Sequence, residues 1–591
     1  MGEAFLNVGK SLSGKRWELL EGDERTALAM AQRLGIPEIA GRVMASRGVA
    51  LEEAESFLDP TLRDLLPDPF HLKDMEKAVE RLAHAVVEGQ SIGVFGDYDV
   101  DGSTSSALAV RYLTAIGGRC ELYIPDRLKE GYGPNGPALR ELKAKGVEVV
   151  LTVDCGTTAH EALEEGRSAG LDVIVVDHHE AESLLPSAFA VVNPCRLDET
   201  SPHRHMAAVG VTFLVLVALN KTLRERGYFS DKREPNLLDW LDVVALGTVC
   251  DVVPLVGVNR AFVRQGLKVM GKRGNLGIAA LSDVAGVDEK LGAYHLGFVL
   301  GPRVNAGGRV GESDLASRLL STADADNARQ IAERLNAFNA ERQDIESAIL
   351  EEAMAMVEAE KEAPSALAFA AGQGWHPGVI GIVASRLKER YNLPSCAIAI
   401  ADGMATGSAR SISGVDFGAA VIAARQAGIL EKGGGHAMAA GFLLKEENLE
   451  VFRAFLADRF AARIAEAKIV PTLKLDGVVS VKGVSTSLIH QLETLAPYGA
   501  GNPEPRFAIS GARILDSRPV GKDQAHVNCA LTGPDGGRLK AIAFRAMESG
   551  LGEALLNHSG APLHVAGRLR INTWQGTESA QFMIDDAAWL A

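Results

Sequence analysis

Short hydrophobic runs that end in acidic or histidine side chains most constrain how this chain can fold. Three of the runs are apolar and have the length of buried strands in a parallel sheet: 91–95, 147–153 and 173–176. Polar residues follow each run, namely Asp97, Asp99 and Asp101, then Asp154, then Asp177, His178 and His179. Because ligands bind at the carboxyl ends of strands in open α/β sheets, we expect these side chains to meet in one crevice.

Two further segments extend this pattern. Asp251 follows a stretch, 237–245, with apolar residues at helical spacing, and the helix is expected to end before Pro254. A carboxylate at the C-terminal end of a helix opposes the helix dipole, so we expect a cation beside Asp251. The segment 301–309 also follows an apolar run and contributes arginines and an asparagine.

A two-metal phosphoesterase is the function that these residues predict. Two divalent cations about 3.5–4 Å apart need a bridging carboxylate and free positions for water and a phosphate oxygen. Carboxylates with one or two imidazoles suit Mn²⁺ or Mg²⁺, whereas thiolates would favour zinc. The six cysteines form no Cys-x-x-Cys pair, so the sequence indicates neither a zinc ribbon nor a redox dithiol. A reduced cytoplasmic protein is the simplest interpretation.

Each acidic motif also has a purely structural alternative. Asp97-x-Asp99-x-Asp101-Gly102 resembles the start of an EF-hand loop, but the twelfth position, which should be glutamate, is Leu108. The three aspartates also suit a solvated turn that caps the following helix. An isolated Asp-His-His is most often a surface turn, but its position after a β-branched run makes that alternative unattractive.

Together these motifs resemble the RecJ-type single-stranded-DNA exonucleases of the DHH phosphoesterase superfamily. The resemblance extends from about residue 70 to the C-terminus and rests on the segments 96–102, 153–156, 177–179, 247–251 and 301–309. A second set of motifs resembles the associated DHHA1 domain and comprises 374–381, 407–411 and 433–436. The segment 497–505 resembles the part of the family that leads into an OB-fold.

The resemblance implies metal-binding and catalytic roles for particular residues. Two divalent ions, Mn²⁺ or Mg²⁺, would be held by Asp99, Asp101, Asp154, His178 and Asp251, with Asp154 as the bridge. Asp97 and His179 are expected close to the reaction, and His179 to bind phosphate or to protonate the leaving group.

One position departs from the superfamily pattern. Many members carry a histidine ligand four residues before the first ligand aspartate, and this chain has Phe95 there. We therefore expect the first metal site to be weaker, more hydrated or completed by another group.

The second set of motifs predicts an anion-binding shelf. Glycines 433–435, just before His436, supply flexible backbone whose N–H groups can turn toward a phosphate, although a glycine run alone is more often a tight turn. Ser408 and Arg410 add a hydroxyl and a planar guanidinium. The resemblance implies that these groups, with Gly434 and Gly435, hold the 5′-terminal phosphate.

Other phosphate or DNA contacts are predicted outside the shelf. Arg303, Asn305 and Arg309 are expected near the metals, and Arg127 is a weaker candidate that equally suits a surface ion pair. After residue 466 the pattern changes to alternating, turn-punctuated segments, which predict a small β-barrel. Arg568, Arg570 and Trp574 are expected to form a stacking and phosphate-binding face, with a buried Trp574 beside two surface arginines as the alternative.

At 591 residues the chain is too long for one core, and we predict an α/β protein of several domains. A helical extension is expected over 1–70, a DHH parallel-sheet domain over 71–312, a long connector helix over 313–363, a DHHA1 α/β domain over 364–465 and an OB-fold over 466–591. The resemblance implies a narrow groove between the DHH and DHHA1 domains, which would admit one strand and exclude a duplex.

The global charge and hydropathy narrow the function further. A net charge of −15 argues against a DNA-coating protein, which would need a broad basic surface. No apolar run approaches a membrane span, and the first residues lack the core of a secretory signal. A soluble, cytoplasmic protein is therefore expected.

A single-stranded-DNA-specific 5′-to-3′ exonuclease that releases 5′-mononucleotides in recombination and repair is the predicted function. The resemblance implies single-stranded DNA as substrate, a monomeric enzyme, and a RecQ-type helicase and a single-stranded-DNA-binding protein as partners. One alternative is a DHH phosphoesterase that acts on short oligonucleotides or cyclic dinucleotides, and another is a non-catalytic strand-binding scaffold.

Overall fold

The structure is a computed structural model that describes residues 3–127, 129–359, 366–467 and 470–590. The chain divides into two compact units. The first comprises Met1–Asn305, Ser313–Glu333 and Thr472–Ala591, and the second comprises Ala306–Glu312 and Arg334–Pro471.

The N-terminal segment of the first unit shares its core with the C-terminal barrel. Its elements are β1 (Arg16–Leu19), α1 (Glu24–Leu34), α2 (Glu38–Ser46), α3 (Ala54–Leu58) and α4 (Leu62–Leu65). Met30, Val43 and Met44 are buried in the same cluster as the apolar side chains of the barrel. This segment therefore packs as part of the barrel rather than beside it.

A five-stranded parallel sheet forms the centre of the first unit, as the three apolar runs predict. Its elements are α5 (Met75–Val87), β2 (Ser91–Gly96), α6 (Val100–Ala115), β3 (Arg119–Tyr123), α7 (Gly136–Ala144), β4 (Val147–Val153), α8 (His160–Ser168), β5 (Asp172–Val176) and β6 (Ala190–Val192). The strand order is β3-β2-β4-β5-β6. Gly96, Val153 and Val176 are aligned across β2, β4 and β5, so the residues after them leave the sheet at one edge.

Helices follow the parallel sheet along the chain. They are α9 (Ala208–Glu225), α10 (Leu241–Cys250), α11 (Gly257–Met270), α12 (Leu276–Val284), α13 (Ala293–His295), a π-helical turn (Leu296–Leu300), α14 (Gly301–Val310), α15 (Leu315–Ser321) and α16 (Ala325–Ala359). The predicted long helix is thus two helices in the described part of the chain. Thr322 is extended, and the Asp324 carboxylate accepts the N–H groups of Asp326 and Asn327, which starts α16 anew. Residues 360–363 of the predicted helix lie outside the described residues.

The second unit contains a mixed sheet with helices on both faces. Its further elements are β7 (Ala368–Gln373), α17 (Ile380–Tyr391), β8 (Ser395–Ala401), β9 (Met404–Arg410), α18 (Phe417–Gln426), β10 (Lys432–His436), β11 (Ala439–Lys445) and α19 (Leu449–Ala467). The strand order is β10-β11-β9-β8-β7, and only β7 and β8 are parallel among these described pairs.

The C-terminal strands close into a barrel, which confirms the predicted OB-fold. The elements are β12 (Thr472–Leu475), β13 (Gly477–Val478), α20 (Thr486–Glu493), β14 (Phe507–Val520), β15 (His526–Thr532), β16 (Arg538–Ala543), α21 (Gly550–Leu556), β17 (Leu563–Trp574) and β18 (Thr577–Trp589). Strand β14 pairs with β15 and with β17, which closes the barrel, and β12 pairs with β1. Among the described helices, none has the length and apolar character needed to cross a bilayer.

Candidate metal centre and phosphate-binding residues

The acidic residues predicted from strand ends do meet at one edge of the parallel sheet. Asp97, Asp99 and Asp154 have carboxylate oxygens within 4.8 Å of one another. Asp99 is the N-cap of α6 and accepts the N–H of Gly102 at 3.0 Å. The first turn of α6 can pack this closely on the Asp97 backbone because residue 102 is glycine. A Cβ there would lie 2.5 Å from the Asp97 carbonyl oxygen.

Asp154 occupies a strained position directly after β4. Its φ is +61°, which is unusual for a residue other than glycine. The side chain is buried, and Oδ1 accepts no hydrogen bond from the described residues. Strained backbone of this kind often occurs at functional sites. Here it places the Asp154 carboxylate between Asp97 and Asp99 on one side and His178 on the other.

A second group of candidate ligands consists of Asp101, His178 and Asp251. The His178 ring and the two carboxylates offer ligand atoms within 4.8 Å of one another. His178 Nδ1 lies 3.6 Å from Asp251 Oδ2, and Nε2 lies 3.4 Å from Asp154 Oδ1 and 3.8 Å from Asp101 Oδ2. The histidine therefore links the carboxylates at the strand ends to Asp251 at the end of α10.

Backbone hydrogen bonds hold Asp101 in place. Its two carboxylate oxygens accept the N–H groups of Ala208 at 2.6 Å and Val209 at 2.9 Å, at the start of α9. A carboxylate at a helix N-terminus is stabilised by the helix dipole. Asp101 thus joins two helices and keeps one side of its carboxylate toward His178.

Asp177 orients the two histidines, a role that sequence reasoning missed. Its carboxylate accepts the N–H groups of His178 and His179 and lies 2.7 Å from His179 Nδ1. Although burial would raise the pKa of Asp177, the hydrogen bonds from His179 and Thr157 hold it below its usual range. The position directly after β5 was the only sequence signal for this residue.

The two histidines differ in charge. Burial and the neighbouring His179 lower the pKa of His178 to about 4, so this ring is neutral at pH 7 and can bind a metal. Burial would also lower the pKa of His179, but the hydrogen bond with Asp177 raises it to about 9. Asp177 therefore favours the protonated form of His179, which suits a phosphate.

Four carboxyl groups of the centre, those of Asp97, Asp101, Asp154 and Asp251, resist ionisation. Burial and neighbouring carboxylates raise the pKa of Asp101 to about 7 and that of Asp251 to about 9. Burial and adjacent acidic groups also raise the pKa values of Asp97 and Asp154. Such a cluster is stabilised when cations occupy it, because opposite charge favours the ionised form.

Divalent cations fit this donor set. Asp97 Oδ1, Asp154 Oδ1 and Asp251 Oδ2 are buried and accept no hydrogen bond within the described chain. Buried acceptors without partners are costly unless a ligand satisfies them. The donors are carboxylates and one neutral imidazole, which suit Mn²⁺ or Mg²⁺.

A tyrosine and an arginine border the centre. Tyr132, which sequence reasoning also missed, donates its hydroxyl to the Asp154 carbonyl at 3.1 Å and lies 3.4 Å from His179 Nδ1. Its position between two glycines of a loop gave no sign of this role. The Arg127 guanidinium stacks over Tyr98 at 5.0 Å, and its charge partly opposes the rise in the pKa of Asp97 that burial and Asp99 cause.

The residues of the arginine-rich segment lie on α14, in different units. Arg303 and Asn305 belong to the first unit, and Arg303 donates to the Val299 carbonyl at 2.7 Å. Arg309 belongs to the second unit, where it donates to the Gly378 carbonyl at 2.9 Å. Arg309 is thus grouped with the DHHA1 motif that precedes α17.

The predicted anion-binding shelf lies on one face of the mixed sheet. Ser408 and Arg410 are two residues apart on β9 and so point to the same side. Gly441 pairs with Ser408, and Gly434 pairs with Gly441. A Cβ at Gly434 would meet no atom within 4 Å, so open backbone surface lies beside Ser408.

The start of α17 reaches the same two side chains. A Cβ at Gly381 would lie 3.1 Å from Ser408 Oγ and 3.3 Å from Arg410 Nη2. His436 is exposed and lies in register with Ala439, which pairs with Arg410. Gly435 has a φ of +150° and packs against Ala440. A helix N-terminus, a hydroxyl and a guanidinium thus converge, as anion-binding sites require.

Three family models match successive parts of the chain. They are the DHH family N-terminal domain over residues 91–248, the DHHA1 domain over 363–462 and the RecJ OB domain over 475–586. The single-stranded-DNA-specific exonuclease RecJ of Escherichia coli strain K12 is 36% identical over 564 residues, which cover 93% of this chain and 96% of that protein. The chain belongs to the RecJ family.

Other RecJ proteins extend this relationship. RecJ of Bacillus subtilis strain 168 is 34% identical over 580 residues, which cover 98% of this chain and 71% of that protein. The crystal structure of Thermus thermophilus RecJ in complex with Mn²⁺ matches with a TM-score of 0.80 at 30% identity, covering 97% of this chain and 79% of that one. The Mg²⁺ complex of the same protein matches with a TM-score of 0.75.

Phe95, where the resemblance led us to expect a histidine ligand, belongs to the hydrophobic core of this RecJ protein. The ring is fully buried in β2 and stacks on Tyr123 with ring centroids 5.2 Å apart. The group of Asp97, Asp99 and Asp154 consequently contains oxygen donors only.

The predicted DNA face of the RecJ barrel is exposed but internally ion-paired. Trp574 is 72% exposed, so the alternative of a buried tryptophan is wrong. Arg568 pairs with Glu504 and Asp585, and Arg570 pairs with Glu504. A phosphate at this face would have to compete with those carboxylates for the guanidinium groups.

Proposed function

We propose that this protein is a single-stranded-DNA-specific exonuclease that removes nucleotides from the 5′ end of a strand and releases 5′-mononucleotides, in DNA recombination and repair. The observation that carries the proposal is the convergence of candidate ligands with unpartnered carboxylate oxygens at one edge of the parallel sheet, among the described residues. RecJ relatives that align with nearly the whole chain are named single-stranded-DNA-specific exonucleases. This relationship supports a long strand as substrate rather than a short oligonucleotide, a cyclic dinucleotide or a scaffold role.

Two divalent ions, Mn²⁺ or Mg²⁺, are proposed for the centre. Asp101, His178 and Asp251 would hold one ion, and Asp99 and Asp154 the other, with Asp97 beside them. Asp154 is the proposed bridge, because its carboxylate belongs both to the group with Asp97 and Asp99 and to the group with His178. When bound, the ions polarise the scissile phosphate and lower the pKa of a water molecule.

The protein's own residues position the substrate and move one proton. The P–O3′ bond of the terminal nucleotide breaks as the water oxygen bonds to phosphorus and loses a proton to solvent. That oxygen becomes part of the new 5′-phosphate. His179, protonated at pH 7 and held by Asp177, is the proposed donor of a proton to the departing 3′ oxygen. Arg303, Asn305 and Arg127 are proposed to bind phosphate oxygens and to offset charge that develops in the transition state.

The shelf is proposed to bind the 5′-terminal phosphate and so to select the end that is cut. Ser408 and Arg410 would bind the phosphate oxygens, with Gly434, Gly435 and His436 contributing nearby. The approach of Gly381 to both side chains supports this assignment, because a Cβ there would crowd Ser408 Oγ and Arg410 Nη2.

The C-terminal barrel is proposed to hold the strand between cuts, with Trp574 stacking on a base beside Arg568 and Arg570. Family membership is the basis for three further proposals. These are a monomeric cytoplasmic enzyme, a RecQ-type helicase that supplies the strand and a single-stranded-DNA-binding protein that presents it.

Digestion of matched single-stranded and duplex DNA, labelled at the 5′ or 3′ end, tests the proposal. Reactions contain Mn²⁺, Mg²⁺ or EDTA. Release of the 5′ label as a mononucleotide, from single strands and only with metal, is expected. Binding without release under every metal would indicate a scaffold, and cleavage confined to very short oligonucleotides would indicate a small-substrate phosphoesterase.

A further inference from the structure

Helix α11 connects the metal-ligand loops to the segment that precedes the barrel. Within the first unit it contacts the loop after Asp251, the loop before α9 and residues 495–502, which we call the lead-in segment. The α11 side chains that make these contacts, Asn259 and Arg260, are not candidate metal ligands. Their contacts nevertheless reach both Asp101 and Asp251 through a few residues of backbone.

Asn259 joins the two loops that carry candidate ligands. Its fully buried side-chain amide donates to the His205 carbonyl at 2.7 Å and to the Pro254 carbonyl at 3.0 Å. Pro254 lies three residues after Asp251, and His205 lies three residues before Ala208, whose N–H binds Asp101. One side chain therefore fixes the distance between the supports of two ligands of the same proposed ion.

Arg260 ties the same helix to the lead-in segment. Its guanidinium, almost fully buried, donates to the carbonyls of Leu495 at 2.8 Å, Ala496 at 3.0 Å and Pro497 at 3.3 Å. Nε donates to the Phe57 carbonyl at 2.8 Å. Backbone carbonyls rather than carboxylates thus accept these hydrogen bonds, so the guanidinium holds the course of the chain at several points.

The lead-in segment also touches the Asp251 loop directly. The Leu255 N–H donates to the Ala500 carbonyl at 2.8 Å. A Cβ at Gly499 would lie 2.7 Å from Leu255, and a Cβ at Gly501 would lie 3.0 Å from Pro254. This close approach means that movement of the lead-in segment must displace the backbone that follows Asp251.

We propose that Asn259 and Arg260 are positioning residues for the metal centre, and that the lead-in segment of the barrel is part of the structure that holds Asp251. The barrel would then influence metal binding as well as DNA binding. The inference rests on the proposed function for its catalytic meaning. Its metal-binding consequence can be measured without DNA.

Metal titration of full-length variants tests this proposal. Asn259→Ala and Arg260→Lys are compared with wild type by electron paramagnetic resonance of free Mn²⁺, without DNA. We expect Mn²⁺ affinity to fall about tenfold or more, as is usual when groups behind metal ligands are removed. The kcat at low Mn²⁺ should fall, excess Mn²⁺ should restore most of it, and KM for DNA should change little.

Gln265→Ala is the matched control. Gln265 lies on the same helix, but its amide donates to the Pro60 carbonyl in the N-terminal segment, away from both ligand loops. It should leave Mn²⁺ affinity within about twofold of wild type, below the tenfold effect of a lost supporting group. If all three variants have wild-type Mn²⁺ affinity and only the melting temperature falls, the α11 contacts stabilise the fold without affecting metal binding, and the proposal is wrong.

A second variant decides the matter if the α11 variants do not fold. Asn502→Ala removes donors to the Leu495 and Pro497 carbonyls from within the lead-in segment, without touching α11. Weaker Mn²⁺ binding in the folded variant would support the proposal, and unchanged binding would overturn it. If the wild-type protein has no exonuclease activity, the proposed function is refuted, but the metal-affinity result can still be interpreted.

Discussion

The candidate metal centre and the proposed anion-binding shelf would bind phosphate in opposite ways. The centre gathers carboxylates whose burial and mutual repulsion raise their pKa values, so it is costly unless cations are present. The shelf gathers a hydroxyl, a guanidinium and open glycine backbone, which suit an anion without a metal. The difference indicates that chemistry and end selection are separable, and the following variants test that separation from the largest expected effect to the smallest.

Asp154→Asn should have the largest effect. Asparagine keeps the size of the side chain and tolerates the positive φ, but it removes the proposed bridging charge. Cleavage should fall roughly 10³-fold, equivalent to about 4 kcal/mol, while binding of single-stranded DNA persists. The melting temperature in EDTA should rise, because asparagine avoids the cost of burying an ionisable carboxyl group among other acidic groups. Single-turnover digestion and thermal melts measure both, and activity above a few per cent would contradict the assignment of Asp154.

Arg410→Ala should affect the choice of substrate end rather than the chemistry. Loss of the guanidinium should reduce the preference for 5′-phosphorylated over 5′-hydroxyl strands by about tenfold, the range of one hydrogen bond to a charged group. Arg386→Ala is the matched control, since Arg386 is an exposed arginine in the same unit that pairs with Glu346 and Glu389. An equal loss on both substrates would argue against a shelf that reads the 5′ end.

The pH dependence of stability should distinguish the centre from the shelf. In metal-free protein Asp101 and Asp251 have pKa values of about 7 and about 9, above the unfolded value for aspartate. The pKa of His179 is also raised, to about 9. These three groups therefore keep the folded state more protonated than the unfolded state from about pH 4 to about pH 9, and their contribution to stability falls as pH rises through this range. Above pH 7 the fall comes mainly from Asp251 and His179.

Thermal melts in EDTA and in Mn²⁺ measure this effect. The melting temperature in EDTA should fall from pH 7 to 9, and Mn²⁺ should remove most of the decline because it favours the ionised carboxylates. The slope should be reduced in Asp154→Asn and unchanged in Arg410→Ala. A melting temperature in EDTA that does not change with pH would mean that the pKa values of the acidic cluster are not raised.

Gly381→Ala should give the smallest effect. The added methyl group approaches Ser408 Oγ and Arg410 Nη2 and should lower the preference for 5′-phosphorylated strands by a few-fold. Because glycine is less favourable than alanine inside a helix by about 0.5–1 kcal/mol, stability should not fall. A variant with lower stability and unchanged end preference would show that Gly381 serves packing alone.

The strand-end motifs could be predicted from the sequence because each one lies in a short contiguous segment. Buried β-branched runs such as 173–176 specify parallel strands, and the following polar residues must then lie at one edge of the sheet. Alternating, turn-punctuated segments after residue 466 predicted the barrel in the same way, from residue types and their spacing. The family resemblance supplied the order of the domains.

Features that depend on tertiary contacts were not readable. The positive φ of Asp154, the carbonyl contacts of Arg260 and the ion pairs of Arg568 with Glu504 and Asp585 join residues far apart in sequence. Asp177 carried no distinguishing pattern, because its role depends on hydrogen bonds to its two histidine neighbours. The break before α16 depends on a local cap at Asp324 that the charged, helix-like composition concealed.

Release of the first nucleotide from 5′-phosphorylated and 5′-hydroxyl strands, measured across a Mn²⁺ titration, tests the central claim most directly. Wild type and Arg410→Ala are compared in single turnover. Separable sites predict that Mn²⁺ changes both rates in proportion and that Arg410→Ala lowers their ratio without moving the Mn²⁺ midpoint. A ratio that depends on Mn²⁺, or a shifted midpoint in Arg410→Ala, would show that metal binding and end selection share one site.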